Sequence, residues 1–233
     1  MMQKLVDTLY RGSRRIVPSD ITHLLVREIS APVSFEESSH FHFTEMIVDQ
    51  LEEIVPDQSL QLGQTLIDDM QESGFRFYAA LVEDQIAGYL LVGKGQIAAR
   101  HNCAGAPFAG AGLKLPGAAA YVFKCFVVPS KRGQKILSRL LDYVAVQQYT
   151  QEAVTHLVTT TDWTNHAALV SFRKAGFERV GMVAEFVLAG RHFYKLPAAV
   201  GLGTKDKTTN VNGTDADIEN SDTDNSVVVF RGD

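Results

Sequence analysis

Between Tyr121 and Leu141 the chain passes from an apolar run, YVFKCFVVP, through the basic segment SKRG into the amphipathic run QKILSRLL. This order predicts a buried strand feeding a helix through a tight, glycine-bearing turn. Such a turn points several backbone N–H groups into one small volume. The helix start adds its dipole, so the place suits an anion, above all a phosphate. Lys131, Arg132 and Lys135 put three formal positive charges on it. Turns of this kind occur in many folds, and its meaning depends on its surroundings.

The charge distribution narrows the choice. Net charge is −5, but from Gly201 onward seven acidic residues face Lys205, Lys207 and Arg231, which leaves residues 1–200 close to neutral. A nearly neutral body with one local basic turn lacks the broad basic face of a nucleic-acid binder, and suits a small anion better. The two cysteines, Cys103 and Cys125, have no metal or redox spacing and read as incidental thiols. His40 and His42 would share a face of a strand, but no third metal ligand is evident beside them. No apolar run reaches the roughly 18 residues that cross a bilayer. The basic start MMQKLVDTLYRGSRRIVP has no apolar core of signal-peptide length, so a soluble cytoplasmic protein is expected.

In chain order, residues 1–20 form a polar lead-in. THLLVREIS reads as a first strand. Phe43, Met46, Ile47, Leu51 and Ile54 follow helical spacing, and Leu62, Leu66, Ile67 and Met70 form a second helical face closed by Gly74. FRFYAALV and IAGYLLVG predict a hairpin, and the Gly- and Ala-rich stretch 94–118 a long loop. After the central strand and the helix from about Gln134 to Gln151 come the strand HLVTTT, a helix from Asn165 to Ala175 closed by Gly176, and a final strand pair. This order predicts a mixed α/β (α+β) domain over residues 21–200. Residues 201–233 are polar and acidic until VVVF, and read as a disordered tail.

Two segments now carry a resemblance. FVVPSKRGQKIL is similar to the strand–Pro–x–x–Arg–Gly–helix element of the GNAT superfamily of acyl-CoA-dependent N-acyltransferases, and NHAALVSFRKAGF (Asn165 to Phe177) resembles that family's Asn-x-x-Ala…Gly-Phe helix and turn. The resemblance implies a central mixed sheet of six to seven strands with about four helices, splayed between its two middle parallel strands. It further implies that Cys125, Phe126 and Val127 pair through their backbones with the pantetheine arm of acetyl-CoA. The amides of Arg132, Gly133, Gln134, Lys135, Ile136 and Leu137 would hold the pyrophosphate, with charge added by Lys131, Arg132 or Lys135, and Asn165 would bond the arm from the far side. An amine acceptor would attack the thioester directly, without a metal, its carbonyl oxygen met by an N–H at a bulge in the central strand.

The sequence departs from the family pattern in two places. Lys135 and Leu137 stand where the family loop carries small residues, which narrows the backbone approach to a ligand. Phe172 occupies the position where many members carry a proton-donating tyrosine, and phenylalanine cannot donate. No catalytic residue is named. Asp162 is a candidate base but better suited to capping a helix. Tyr121 and Lys124 lie on the central strand, whose substrate face cannot be read, and Glu45 is expected on the first helix. Trp163 and Phe108 are candidates to pack on a substrate. The expected activity is N-acetyl transfer from acetyl-CoA to an amine, as monomer or homodimer. Its rival is a non-catalytic acyl-CoA-binding or scaffold module, which Phe172 and the altered loop favour.

Overall fold

The computed structural model describes Tyr10, Gly12, Phe35 and residues 19–29, 40–54, 60–102, 111–188, 191–202 and 225–231. The strands are β1 (Ser19–Glu28), β2 (His42–Met46), β3 (Arg76–Val82), β4 (Gln85–Gly93), β5 (Gln96–Ile97), β6 (Ala111–Lys114), β7 (Ala119–Val127), β8 (His156–Asp162), β9 (Glu178–Leu188), β10 (Arg191–Lys195), β11 (Val200–Gly201) and β12 (Ser226–Arg231). Four α-helices are described: α1 (Val48–Glu52), α2 (Gln64–Ser73), α3 (Ile136–Glu152) and α4 (His166–Lys174).

Eight strands form one mixed sheet in the order β10-β9-β1-β8-β7-β4-β3-β2, in which only β7 and β8 run parallel. The other four form a small sheet, β11-β12-β6-β5. Alternation along the strands sends side chains to two separate cores. On the front face Leu24, Phe77, Leu91, Tyr121 and Val158 pack with Leu51 of α1, Ile67 and Met70 of α2, and Leu113 and Val227 of the small sheet. On the back face Leu25, Tyr78, Leu90, Val122 and Leu157 pack with Leu140 and Val144 of α3 and Phe172 of α4. The central strands are therefore covered on both sides, which is why their sequences are apolar almost throughout.

Local chemistry sets the boundaries. Glu83 and Asp84 both take positive φ (50° and 60°), the geometry of the two-residue turns that match strand twist, and join β3 to β4. Gly74 and Gly176 take left-handed φ of 65° and 85° just beyond α2 and α4, where a side chain would be strained.

Four expectations are corrected. Phe43 to Met46 belong to β2, not to a helix: Phe43 and Met46 are buried while Ile47, at the junction with the short α1, is 62% exposed. The stretch 94–118 is not simply a loop, because β5 and β6 lie within it. Residues 226–231, assigned above to a disordered tail, form β12, which pairs with β6 and buries Val227 and Val229; residues 203–224 lie outside the described residues. The main sheet also has eight strands rather than six to seven, since β2 joins it at one edge.

Candidate active site

The two parallel strands separate partway along their length. β7 pairs with β8 at Ala119, Ala120 and Tyr121. Beyond Tyr121, β7 continues to Val127 paired only with β4, and β8 continues to Asp162 paired only with β1. A gap opens between them toward their C-terminal ends. There β7 runs into α3 and β8 into α4, and the two helices sit side by side on the back face. Both helix N-termini therefore lie at the split end of the sheet, the usual place for a ligand between parallel strands.

A bulge re-aims the side chains of β7 beside this gap. The register against β4 shifts between Tyr89 and Leu91, and Lys124 takes φ +48°. Before the bulge Tyr121 and Phe123 face the front core; after it Phe126 and Val128 do, while Cys125 and Val127 turn to the back. Lys124 is the inserted residue, and its ammonium reaches the carboxylate of Asp69 on α2, 3.6 Å away on the front side.

The turn after β7 is a single 3₁₀ turn, Pro129–Lys131. The amides of Lys131 and Arg132 bond Val128 O and Pro129 O, and the Arg132 guanidinium folds back to donate to Val127 O at 3.2 Å. Gly133 takes φ +83°, open to solvent around its missing Cβ, and Lys135 takes φ +61° as the residue before α3. Among the described residues no protein acceptor takes the amides of Gly133, Gln134, Lys135, Ile136 or Leu137. Ile136 is buried and Leu137 half-buried in the back core, so these two side chains anchor the head of α3 while the polar ones stay exposed.

Asn165 caps α4 through its amide oxygen, which accepts from Ala168 N at 3.1 Å. Asp162 is committed to the preceding turn, accepting from the amide and hydroxyl of Thr164. Trp163 packs edge-on against Tyr10. Phe172, 4% exposed, packs edge-on against Phe177 in the back core. Glu45 lies on β2 rather than on a helix, locked to the Arg76 guanidinium. Phe108 and Cys103 fall outside the described residues.

A cleft on the front face has no signature in the sequence. It has a volume of about 300 Å³ and is lined by Gln61, Gly63, Leu66, Tyr89, Lys124, Cys125 and Phe126. Burial pushes the Tyr89 phenol and the Cys125 thiol each up to about 12, so both stay protonated at neutral pH. Behind Lys124, Asp69 also faces Arg100 and the buried His101, whose pKa burial lowers, leaving the imidazole neutral. Tyr121 bonds both Asn102 and Thr160, a polar bridge from β7 to β8 where the strands part. These residues are distant in sequence, and only the fold gathers them. A second cleft of about 340 Å³, between α4 and β9, contains no residue of β7 or of the turn. No group of three His, Cys, Asp or Glu side chains placed to hold a metal occurs among the described residues, and no helix among them is long and apolar enough to cross a membrane.

A mixed sheet split between parallel strands, with a bulge at the split and an amide-rich turn beyond it, defines the fold class of the acyl-CoA N-acyltransferases. The sequence profile of the Acetyltransferase (GNAT) family matches residues 41–177, more than half of the chain, and the protein belongs to that family. Similar solved structures include a GCN5-related N-acetyltransferase from Sphaerobacter thermophilus (12% identity, TM-score 0.51, covering 75% of this chain and 53% of that one). Others are a GNAT-family structure from Novosphingobium aromaticivorans (13%, 0.46, 71% and 62%) and an aminoglycoside acetyltransferase from an uncultured soil metagenomic sample (15%, 0.42, 60% and 90%). The chain thus spans between half and two thirds of the length of the first two. At these identities the likeness concerns fold alone. No curated protein matches the sequence.

Proposed function

We propose that the protein is an acetyl-CoA-dependent N-acetyltransferase, acting on an amine by direct attack. The observation that carries this reading is the parting of β7 from β8 beyond Tyr121, together with the unbonded amides at the head of α3. The gap admits an extended thioester arm, which bonds the exposed edge of β7 at Cys125, Phe126 and Val127 as a further strand would. The amides of Gly133 to Leu137 receive the pyrophosphate; Lys131, half-buried, and Lys135 add charge, while Arg132 holds the turn closed through Val127 O. Asn165, with its amide oxygen committed to the helix cap, offers its NH₂ to the arm from the β8 side. The amine enters from the front cleft, its nitrogen bonds to the acyl carbon, the carbon–sulfur bond breaks, and the proton lost by nitrogen restores the leaving thiol.

The domain is taken as residues 19–202 together with β12, the reaction as metal-free, the setting as cytoplasmic, and nucleic acid and membranes as no part of it. The rival reading, a non-catalytic acyl-CoA-binding module, is favoured by one observation: Phe172 is core, and offers the leaving thiolate no proton. The test measures thiol release from acetyl-CoA over a panel of amines alongside binding of acetyl-CoA by calorimetry. Release with at least one amine supports the transferase, binding without any release favours the rival, and no binding sinks both. In the same assay Gly133→Pro, which cannot take φ +83° and removes an amide, and the pair Lys131→Ala/Arg132→Ala, which removes a cation and the bond that closes the turn, should each weaken acetyl-CoA binding about tenfold or more.

A further inference from the structure

From the geometry of the front cleft we infer that Lys124 is its specificity determinant, and that the acceptor is a small amine carrying a carboxylate which pairs with the Lys124 ammonium. This rests on the acyltransferase reading above and deepens it.

Lys124 is the bulge residue of β7, held at φ +48°, a conformation uncommon for lysine, which delivers its side chain to the front of the sheet beside the split. Its side chain is 41% exposed. The ammonium stands 3.6 Å from Asp69, beyond hydrogen-bond range, and that carboxylate is shared with Arg100 at 3.5 Å and His101 at 3.6 Å. Asp69 therefore orients the ammonium without using up its three donors. Among the described cleft-lining residues Lys124 is the one that carries a formal charge.

This setting selects on two counts. Lys124 is the charged group among the described lining residues, and its counter-ion Asp69, set behind that lining, is divided with Arg100, so the cleft repels polyamines and attracts an anion. Among the described lining residues there is no carboxylate or imidazole to take a proton from an incoming ammonium, since Asp69 is engaged with Lys124 and Arg100 and His101 is buried behind it, so the acceptor arrives largely as free amine. Amino groups beside a peptide carbonyl lose their proton near pH 8, whereas alkylamines do so above about 10, and the nearby Lys124 charge disfavours the protonated amine further. A short peptide, with its amine beside an amide carbonyl and a carboxylate at its other end, meets both conditions, and a free amino acid meets the first.

The test uses matched pairs that differ by one carboxylate: phenylalanine with phenethylamine, and tyrosine with tyramine. Thiol release from acetyl-CoA is followed for the full chain and for Lys124→Gln and Lys124→Arg. The carboxylate member should show the higher kcat/KM by an order of magnitude or more. In Lys124→Gln that ratio should collapse toward one through KM, and Lys124→Arg should restore it. Equal kcat/KM within the pairs, or a Lys124→Gln variant that slows both members alike, overturns the inference while leaving the transferase intact. If no amine releases thiol, the transferase reading fails, and binding of N-acetylphenylalanine against N-acetylphenethylamine in the presence of coenzyme A still reads the site. Tighter binding of the carboxylate, lost in Lys124→Gln, supports the anion site, and equal binding overturns it.

Discussion

Gly88 shows how closely single residues define the neighbourhood of the split. A Cβ placed there would lie 2.9 Å from Phe126 O, 3.1 Å from Ile136 Cγ2 and 3.3 Å from Val127 Cγ2. Two of those neighbours belong to the edge of β7 proposed to face the thioester arm, and the third is the first residue of α3. Gly88 packs β4 directly beneath the joint between strand and turn, and the Val128 amide bonds Ala87 O beside it. Neither a backbone carbonyl nor a side chain anchored in the back core can yield freely. Gly88→Ala should therefore cost about 1–3 kcal/mol, the usual range for overpacking. It should also weaken acetyl-CoA binding, because the strain is relieved by moving β7 or α3. Urea unfolding gives the first quantity and calorimetry the second. Wild-type stability in the Gly88→Ala variant would mean that β4 and β7 do not approach as described.

At the level of elements, β12 shows what a linear reading loses. Val227 is fully buried and Val229 nearly so, both in the front core with Leu113 of β6 and Leu202. Val227→Ala should destabilise the protein by about 1–3 kcal/mol through lost burial and the cavity left behind, whereas an unattached tail would give no change in a urea midpoint. The sequence hid this strand because its partner, Ala111–Lys114, lies more than a hundred residues earlier in a Gly- and Ala-rich stretch that itself reads as loop. β2 was lost for another reason: Phe43, Met46, Ile47 and Leu51 satisfy helical spacing, yet the run spans a strand and a separate short helix. Local signals that act at one place were legible, such as Gly74 and Gly176 ending helices and the proline and glycine around Arg132. The split of the sheet was legible only through family resemblance. The face presented by Lys124 was not legible at all, because a bulge overrides alternation and nothing in YVFKCFVV marks where it falls.

Across the whole molecule, three histidines in separate regions share one electrostatic fate. His23 on β1, His101 behind the cleft and His156 at the start of β8 all have pKa values lowered from 6.5, in each case chiefly by burial. Arg179 adds to the shift at His23, and Arg100 and Lys124 add to it at His101; Asp162, Asp69 and Glu28 oppose it at the three sites respectively. A histidine with a depressed folded pKa binds its proton more readily in the unfolded chain. Stability should thus be full above about pH 6.5 and fall as the pH drops toward the folded-state values, each group contributing at most about 1.4 kcal/mol per pH unit. Glu152, lowered first by its hydrogen bond to Lys94, also loses its stabilisation as the pH falls, but in a separate window that opens only near its ordinary value of 4.5. Urea unfolding at pH 7.5, 6.5 and 5.5 should therefore show stability declining through a range where no carboxylate need titrate. His101→Gln, which cannot be protonated, should flatten part of that decline, and a stability that stays level from pH 7.5 to 5.5 in the parent protein would show that these imidazoles are solvated rather than held in the interior.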